Sequence, residues 1–419
     1  MKNVESKTMK RGDGQTLRTA YKALGIVVIL NLMMGVQYCW SVISPRCIAQ
    51  FGWSPTQAAL PYTVLTVTNA MAAIPVSRWG EKKEPGRVVF MGGIFVGLGI
   101  FLCSLMHSLP GMILGYGIVT SFGLASISMN TSPTAMKWFP AERKGFAIGV
   151  ATMCIGLSSL LFSPIINGLL DQFGMTTGLR LLSVGSAIII CFFSLLLKAP
   201  PKGPGTEKNA DESVEKTAAL PADDSRYHDT INANQALLTR EFWLILAIYA
   251  INWMPGQMIF SSVSTICEVQ ASWDKGYIAV MAMSIGNGVG RLISASLTDR
   301  FGGLRTMRIL MVIQIANLLV FRFYTNPYWI LPGIVLMGAC VGAGIPLVYV
   351  IVSNIYGMKY VGSINAMVQF GYAISGVIGP LMAARMLEMT GTYQTAYYTN
   401  AAFLMLGIVC VAVTRRNKA

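Results

Sequence analysis

The chain has 419 residues, of which 54% are hydrophobic and only 12% charged, whereas soluble domains carry roughly 25% charged residues. This balance excludes a soluble globular domain and predicts an integral membrane protein. A net charge of +14 is compatible with nucleic-acid binding, but the Lys and Arg residues cluster in alternate loops between apolar segments. Such a distribution is typical of oriented membrane proteins, so we expect no nucleic-acid partner.

Twelve apolar segments are long enough to cross a membrane, and they form two groups of six. They lie near 21–44, 55–76, 88–109, 111–134, 145–170 and 178–198, and then near 241–267, 276–298, 306–325, 328–353, 361–386 and 393–414. We therefore predict an all-α membrane fold with a tail (1–20), a six-helix bundle (21–198), a linker (199–240), a second six-helix bundle (241–414) and a short tail (415–419). The linker is polar and begins with Pro and Gly, which predicts a flexible segment.

The basic residues also predict the orientation of the chain. Of the 32 Lys and Arg residues, 26 lie in the two tails, the linker and the loops after even-numbered spans, and five lie on the opposite side. By the positive-inside rule, both termini and linker residues such as Thr206 are expected in the cytoplasm, and His107 near the outer face. We expect the plasma (inner) membrane, and no cleaved signal peptide, because the first span has full length and lacks a small-residue cleavage site.

The two halves of the chain repeat each other. Ala73–Lys83 matches Ala295–Arg305 at an offset of 222, and Gly145–Gly174 matches Gly362–Gly391 at an offset of 217. Internal repeats of this kind are typical of secondary transporters, whose substrate site lies near the membrane midplane where the repeats meet.

One charged residue inside the eighth predicted span points to function. Arg291 is the only charged residue among the 23 between Lys275 and Asp299. A charge at that depth costs about 2.5–3.5 kcal/mol on insertion scales, so such residues usually face a cavity and serve transport. Asn287 lies four residues earlier on the same helix face, where the two side chains can hold one anion. The alternative is that Arg291 extends toward the cytoplasmic helix end, about 10 Å away.

Polar side chains within predicted spans need partners, because lipid offers no hydrogen bonds, and five of them are further candidates for the site. They are Gln37, Tyr38, Asn130, Gln369 and Tyr372. We expect them to contribute to the same substrate site, and the alternative is that they join helices through hydrogen bonds worth under about 1 kcal/mol each. No spacing of Cys, His, Asp or Glu indicates a metal site or a catalytic centre, so we expect no cofactor and no enzyme activity.

Several motifs resemble a known family. The loops Ser77–Gly80 and Asp299–Gly302 are similar to the signature loops of the major facilitator superfamily. Within it, the sequence resembles the oxalate:formate antiporter and its monocarboxylate transporter relatives at Gly35–Trp40, Met129–Thr131, Trp138–Gly145, Arg240–Trp243 and the pair Asn287 and Arg291. The resemblance implies a carboxylate carrier that works by alternating access. It also implies that Arg291 binds the anion and that Gln37 and Tyr38 line the site.

Two departures from these relatives bear on the substrate. Tyr372 stands where the oxalate carrier has a second intramembrane cation, a lysine, and Asn287 stands where animal monocarboxylate transporters have an aspartate. A single cation neutralises a single carboxylate, and an unpaired buried charge is costly. We therefore expect a small organic monocarboxylate such as lactate, pyruvate or formate, moved with a proton or in exchange for a counter-anion.

Two alternatives stay open at this point: an oxalate or dicarboxylate exchanger, and a carboxylate sensor that does not move its ligand. The other expected partner is membrane lipid, and we expect the chain to act as a monomer.

Overall fold

The computed structural model describes residues 18–139, 144–198, 231, 233–357 and 360–416. These residues form twelve long helices. The helices are α1 (Arg18–Phe51), α2 (Pro55–Lys82), α3 (Pro85–Leu105), α4 (Leu109–Lys137), α5 and α6 (together Lys144–Leu196), α7 (Arg240–Ala271), α8 (Gly276–Phe301), α9 (Gly303–Phe321), α10 (Pro327–Tyr356), α11 (Val361–Val368 and Phe370–Thr390) and α12 (Gln394–Arg416).

Length and hydropathy agree with twelve membrane-spanning helices. Within the described ranges, ten helical stretches are long and apolar enough to cross a membrane. One of them, Ala147–Leu196, contains both α5 and α6, because Gly174 takes φ 72° and ψ 173° and reverses the chain. Helix α8 is not among the ten, although its 26 residues suffice, since Asn287 and Arg291 lower its hydropathy. The predicted all-α membrane fold is confirmed.

The outward faces of the helices match a lipid environment. On α6, Ile188 and Leu195 are 62% and 67% exposed, and large apolar side chains are exposed in the same way around the bundle. A soluble protein rarely presents so much contiguous apolar surface, whereas lipid tails are a suitable solvent for it.

Because consecutive helices run in opposite directions, Arg18, Lys198, Arg240 and Arg416 lie at one end of the bundle, which we call the terminal end. The opposite end is called the distal end. Part of the predicted tails and linker, including Thr206, lies outside the described residues. The described end of the linker contains a helical turn, Ala233–Ala236, and the Thr239 hydroxyl accepts a hydrogen bond from the Phe242 amide at the start of α7.

The halves meet mainly along three pairs of helices: α1 with α7, α2 with α11, and α5 with α8. Close backbone contact supports this interface, since a Cβ at Gly376 of α11 would overlap the Thr66 side chain of α2. At the distal end, the Thr56 amide of α2 donates to Glu388 of α11 at 2.8 Å. The Ser163 hydroxyl of α5 donates to the Tyr277 carbonyl of α8, also at 2.8 Å. The two halves are therefore joined at their distal ends.

The sequence repeat corresponds to a repeated helix-ending glycine at one position and not at another, although the ψ angles of the two helix-ending glycines differ, at 173° and 1°. Gly174 and Gly391, which match at the offset of 217, both end a helix with positive φ, at 72° and 70°. The pair Gly80 and Gly302 differs. Gly302 has φ 76° between α8 and α9, whereas Gly80 lies inside α2, where a Cβ would overlap Asn130 Oδ1. Gly302 therefore serves a turn, and Gly80 serves helix packing.

Candidate functional site

Arg291 and Asn287 lie together in the buried middle of α8. Arg291 is 8% exposed and Asn287 is 1% exposed. Arg291 Nε donates to Asn287 Oδ1 at 3.0 Å, as their four-residue spacing on one helix face allows. Arg291 Nη1 donates to the Thr152 carbonyl of α5 at 2.9 Å. The guanidinium therefore points across the interface between the halves and not along its helix toward the terminal end.

Small residues place α8 between α5 and α10. A Cβ at Gly156 of α5 would lie 2.7 Å from Asn287 Oδ1, and a Cβ at Gly342 of α10 would overlap the Asn287 carbonyl. Glycine lets helix backbones approach this closely, as in other membrane bundles. This packing holds Arg291 within reach of the opposite half.

Arg291 has no carboxylate partner in the described part of the chain. It is also the only buried cationic side chain among those residues. Its neighbours are the phenols of Tyr38, Tyr249 and Tyr372, and the Tyr38 hydroxyl lies beside the guanidinium. Since an uncompensated buried charge costs several kcal/mol, this environment favours binding of an anion.

Gln37 and Tyr38 lie where α1 is interrupted. Turns at Met33–Met34 and at Cys39 flank the four-residue helical segment Gly35–Tyr38, and the Gln37 and Cys39 amides donate to carbonyls three residues earlier, at 3.0 Å and 3.3 Å. Interrupted helices are a recurring feature of transporter binding sites. Here the interruption places Gln37 and Tyr38 at the interface between the halves.

Tyr116 of α4 supports this interruption from behind. Its hydroxyl lies 2.7 Å from the Val36 carbonyl and 3.1 Å from the Gln37 carbonyl. The Val36 carbonyl also accepts from the Cys39 amide at 3.3 Å, so the phenol adds a second, shorter hydrogen bond where the helical pattern is interrupted. Tyr116 therefore supports the backbone that carries two site residues, a role that the sequence analysis missed.

Gln369 and Tyr372 lie at a second interruption, between the two segments of α11. Gln37 Nε2 donates to the Tyr372 hydroxyl at 2.8 Å, which links α1 to α11 across the two halves. The Tyr249 hydroxyl of α7 donates to Gln369 Oε1 at 2.8 Å. Both α11 residues thus lie in one buried polar cluster with Gln37 and Tyr38.

Three residues of this cluster were missed by the sequence analysis: Tyr62 of α2, and Trp253 and Gln257 of α7. All three are fully buried. The Tyr62 hydroxyl donates to Gln257 Oε1 at 2.8 Å, and the Trp253 and Tyr372 rings meet edge to face with centroids 5.0 Å apart. The four-residue spacing of Trp253 and Gln257 inside an apolar span is the signal that could have revealed them.

Asn130 lies apart from the cluster. Its Nδ2 donates to the Ser126 carbonyl of its own helix at 2.9 Å, and its Oδ1 lies against Gly80 of α2. Of the seven predicted site residues, the structure brings six together, and it places Asn130 at the contact between α2 and α4.

Among the described residues, no three His, Cys, Asp or Glu side chains group as metal ligands. The cluster contains one guanidinium, amides, phenols and an indole, but no carboxylate or imidazole that would serve acid-base chemistry. What the arrangement can do is bind the oxygen atoms of an anion.

Comparison with known proteins agrees with the fold. The family model of the Major Facilitator Superfamily matches residues 25–321 and 268–419. The chain is 24% identical over 363 residues to an uncharacterized MFS-type transporter, YhjX, of Escherichia coli (strain K12), covering 86% of each chain. It is 23% identical over 408 residues to monocarboxylate transporter 12 of Rattus norvegicus, covering 92% of this chain and 82% of that one.

Over 301 residues the chain is 22% identical to the oxalate:formate antiporter of Oxalobacter formigenes, covering 70% of this chain and 67% of the antiporter. A similar fold occurs in the crystal structure of a bacterial homolog of the human lysosomal transporter Spinster in an inward-facing and occupied conformation. The TM-score is 0.69 at 14% identity, with 95% and 97% of the two chains covered. This chain belongs to the major facilitator superfamily, a family of multi-pass membrane transporters and not of enzymes.

Proposed function

We propose that the protein is a secondary transporter that carries a small organic monocarboxylate by alternating access. The observation that carries this proposal is the buried Arg291 guanidinium, which meets no carboxylate among the described residues. A carboxylate would supply the missing charge, and a guanidinium binds it through two parallel hydrogen bonds.

Asn287 adds to this site. Its Oδ1 accepts a hydrogen bond from Arg291 Nε, while its Nδ2 is buried and has no acceptor. Buried amide donors are normally hydrogen-bonded, so an acceptor oxygen is expected there. Arg291 and Asn287 together offer donors to one carboxylate group.

The charge of the site favours a monoanion. Arg291 is the one buried cation in the described chain, and Tyr372 contributes a neutral hydroxyl that accepts from Gln37. A dicarboxylate would leave one negative charge without a partner, at a cost of several kcal/mol. Lactate, pyruvate, glyoxylate and formate are therefore expected to bind better than oxalate or succinate.

The named relatives support a carboxylate substrate. They include monocarboxylate transporter 12 and the oxalate:formate antiporter, at 23% and 22% identity. For alternating access, the site lies between two halves whose distal ends are joined by the hydrogen bonds of Thr56 and Ser163. Breaking these contacts while closing the terminal end would expose the site to the other side.

The coupling ion and the orientation belong to the same proposal. Asn287 cannot carry a proton as a carboxylate would, so the proton either travels with the substrate or is replaced by a counter-anion. We place both termini in the cytoplasm, at the plasma (inner) membrane, from the distribution of basic residues. A single cysteine replacing His107 at the distal end should therefore react with an impermeant thiol reagent added outside intact cells.

The test of the function is competition in proteoliposomes. Uptake of labelled pyruvate should be inhibited more strongly by unlabelled lactate than by oxalate or succinate. Tyr372→Lys should improve dicarboxylate binding, because it adds the second cation. If oxalate or succinate is the better competitor of the wild-type protein, the single-cation argument is wrong.

A further inference from the structure

Two buried hydrogen-bond donors on α7, both within the polar cluster, lack acceptors in hydrogen-bond geometry. Trp253 Nε1 and Gln257 Nε2 are buried, and neither meets an acceptor in hydrogen-bond geometry. Both side chains are fully buried, with 0% exposure. They are four residues apart, so they lie one above the other on α7. Buried donors are normally hydrogen-bonded, so an acceptor oxygen is expected beside these two.

The neighbouring tyrosine hydroxyls, those of Tyr62 and Tyr249, donate their protons to glutamine side-chain oxygens. The Tyr62 hydroxyl donates to Gln257 Oε1 at 2.8 Å, which fixes the amide so that its NH₂ group faces away from Tyr62. The Tyr249 hydroxyl, which lies near the Trp253 indole, donates to Gln369 Oε1 at 2.8 Å. The Tyr249 and Tyr372 hydroxyls lie near the two α7 donors, but neither accepts from them in hydrogen-bond geometry.

This position adjoins the Arg291 site. The Trp253 ring packs edge to face on Tyr372, with centroids 5.0 Å apart, and Gln257 lies beside the Tyr372 hydroxyl. Tyr38 lies beside both Tyr372 and Arg291. The α7 donors and the guanidinium therefore border the same phenol pair, Tyr38 and Tyr372.

We propose that Trp253 Nε1 and Gln257 Nε2 form a second binding position, which takes an uncharged oxygen of the substrate. This inference rests on the proposed function, in which Arg291 and Asn287 hold the carboxylate. An indole N–H and an amide NH₂ donate hydrogen bonds but carry no charge, so they suit a keto or hydroxyl oxygen better than a second carboxylate. The preferred substrates are then small acids that carry such an oxygen, and simple alkanoic acids bind less well.

The size of the preference follows from the donors. A site built to hydrogen-bond a substrate oxygen discriminates against an analogue that lacks it, because its buried donors then stay unpaired. For one or two neutral hydrogen bonds, we expect about tenfold to 100-fold tighter binding of pyruvate than of propionate, which has the same number of carbon atoms.

The experiment measures the dissociation constants of pyruvate and propionate for the purified full-length protein by calorimetry. In Trp253→Phe and Gln257→Met, the pyruvate affinity should fall about tenfold for each variant, and the propionate affinity should change less than about threefold. The matched control is Trp243→Phe, because Trp243 lies on the same helix, is 57% exposed and donates to the Leu237 carbonyl. This control should keep the wild-type ratio.

The ratio of the two affinities separates a binding role from a structural one, since misfolding would weaken both ligands alike. If one variant gives no folded protein, the ratio in the other decides. A pyruvate-to-propionate ratio that is unchanged in both folded variants, or a wild-type protein that binds both acids equally, overturns this inference and leaves the proposed function standing. A wild-type protein that binds neither acid overturns the proposed function and this inference with it.

Discussion

Replacing Arg291 by alanine should abolish anion binding without preventing folding. The substitution removes the only buried cation among the described residues, together with its hydrogen bonds to Asn287 Oδ1 at 3.0 Å and to the Thr152 carbonyl at 2.9 Å. It also removes the desolvation cost of the buried charge, which offsets part of the lost stabilisation. We therefore expect a large effect on ligand affinity and a small one on stability.

The expected magnitude follows from the geometry. A carboxylate held by two parallel hydrogen bonds from the guanidinium loses both, and each hydrogen bond to a charged group contributes about 1.5–3 kcal/mol. Together this is about 3–6 kcal/mol, which corresponds to a loss of affinity of roughly 10² to 10⁴. Arg291→Lys keeps the positive charge but loses the planar guanidinium with its two parallel donors, so we expect an intermediate loss of affinity of about 10-fold to 100-fold.

Isothermal titration of the purified protein with pyruvate or lactate measures these losses, and the midpoint of thermal unfolding reports folding. The control is Arg322→Ala, because Arg322 is exposed at the end of α9 and contacts the Tyr398 hydroxyl. This control should bind as the wild type does. An Arg291→Ala protein that folds and binds the anion within threefold of wild type would refute the assignment of Arg291 to the site.

Three further predictions concern the framework of the site. Tyr116→Phe removes the hydroxyl whose proton lies between the Val36 and Gln37 carbonyls of α1, so it should lower the stability by about 1–3 kcal/mol and weaken pyruvate binding, as thermal unfolding and calorimetry can measure. Gly80→Ala adds a methyl group that overlaps Asn130 and should cost about 1–3 kcal/mol in stability. The control is Gly25→Ala, which should not destabilise the fold because no neighbouring atom lies within 4 Å of the new Cβ. Equal midpoints of thermal unfolding for the two variants would contradict this packing argument. Glu388→Gln weakens the hydrogen bond from the Thr56 amide that joins the two halves at the distal end. A thiol reagent should therefore react with cysteines at the distal end faster than in the wild type. An unchanged reaction rate would argue against a role of Glu388 in closing the distal end.

The order of the helices could be read from the chain because lipid imposes a simple rule. A segment that crosses a membrane must be long, apolar and helical, so the hydropathy of each segment determines its structure locally. The described helices lie within a few residues of the predicted spans, from Arg18–Phe51 to Gln394–Arg416.

The candidate site was only partly predictable. Arg291 and Asn287 stood out because charged and amide groups are rare inside a span, and their four-residue spacing sufficed to place them together. Asn130 met the same criterion, but it fills the space left by Gly80 in another helix, and the sequence of α4 contains no information about that neighbour.

What the sequence by itself determined is the membrane class, the twelve helices and the pair on α8, since each depends on local composition and spacing. Only the tertiary structure decided which polar residues of different helices meet. The contact between Gln37 and Tyr372 joins residues 335 positions apart, and the contact between Tyr62 and Gln257 joins residues 195 apart. Such contacts depend on the interruptions in α1 and α11 and on the packing of one half against the other. The hydropathy pattern of the sequence contains no information about these two features.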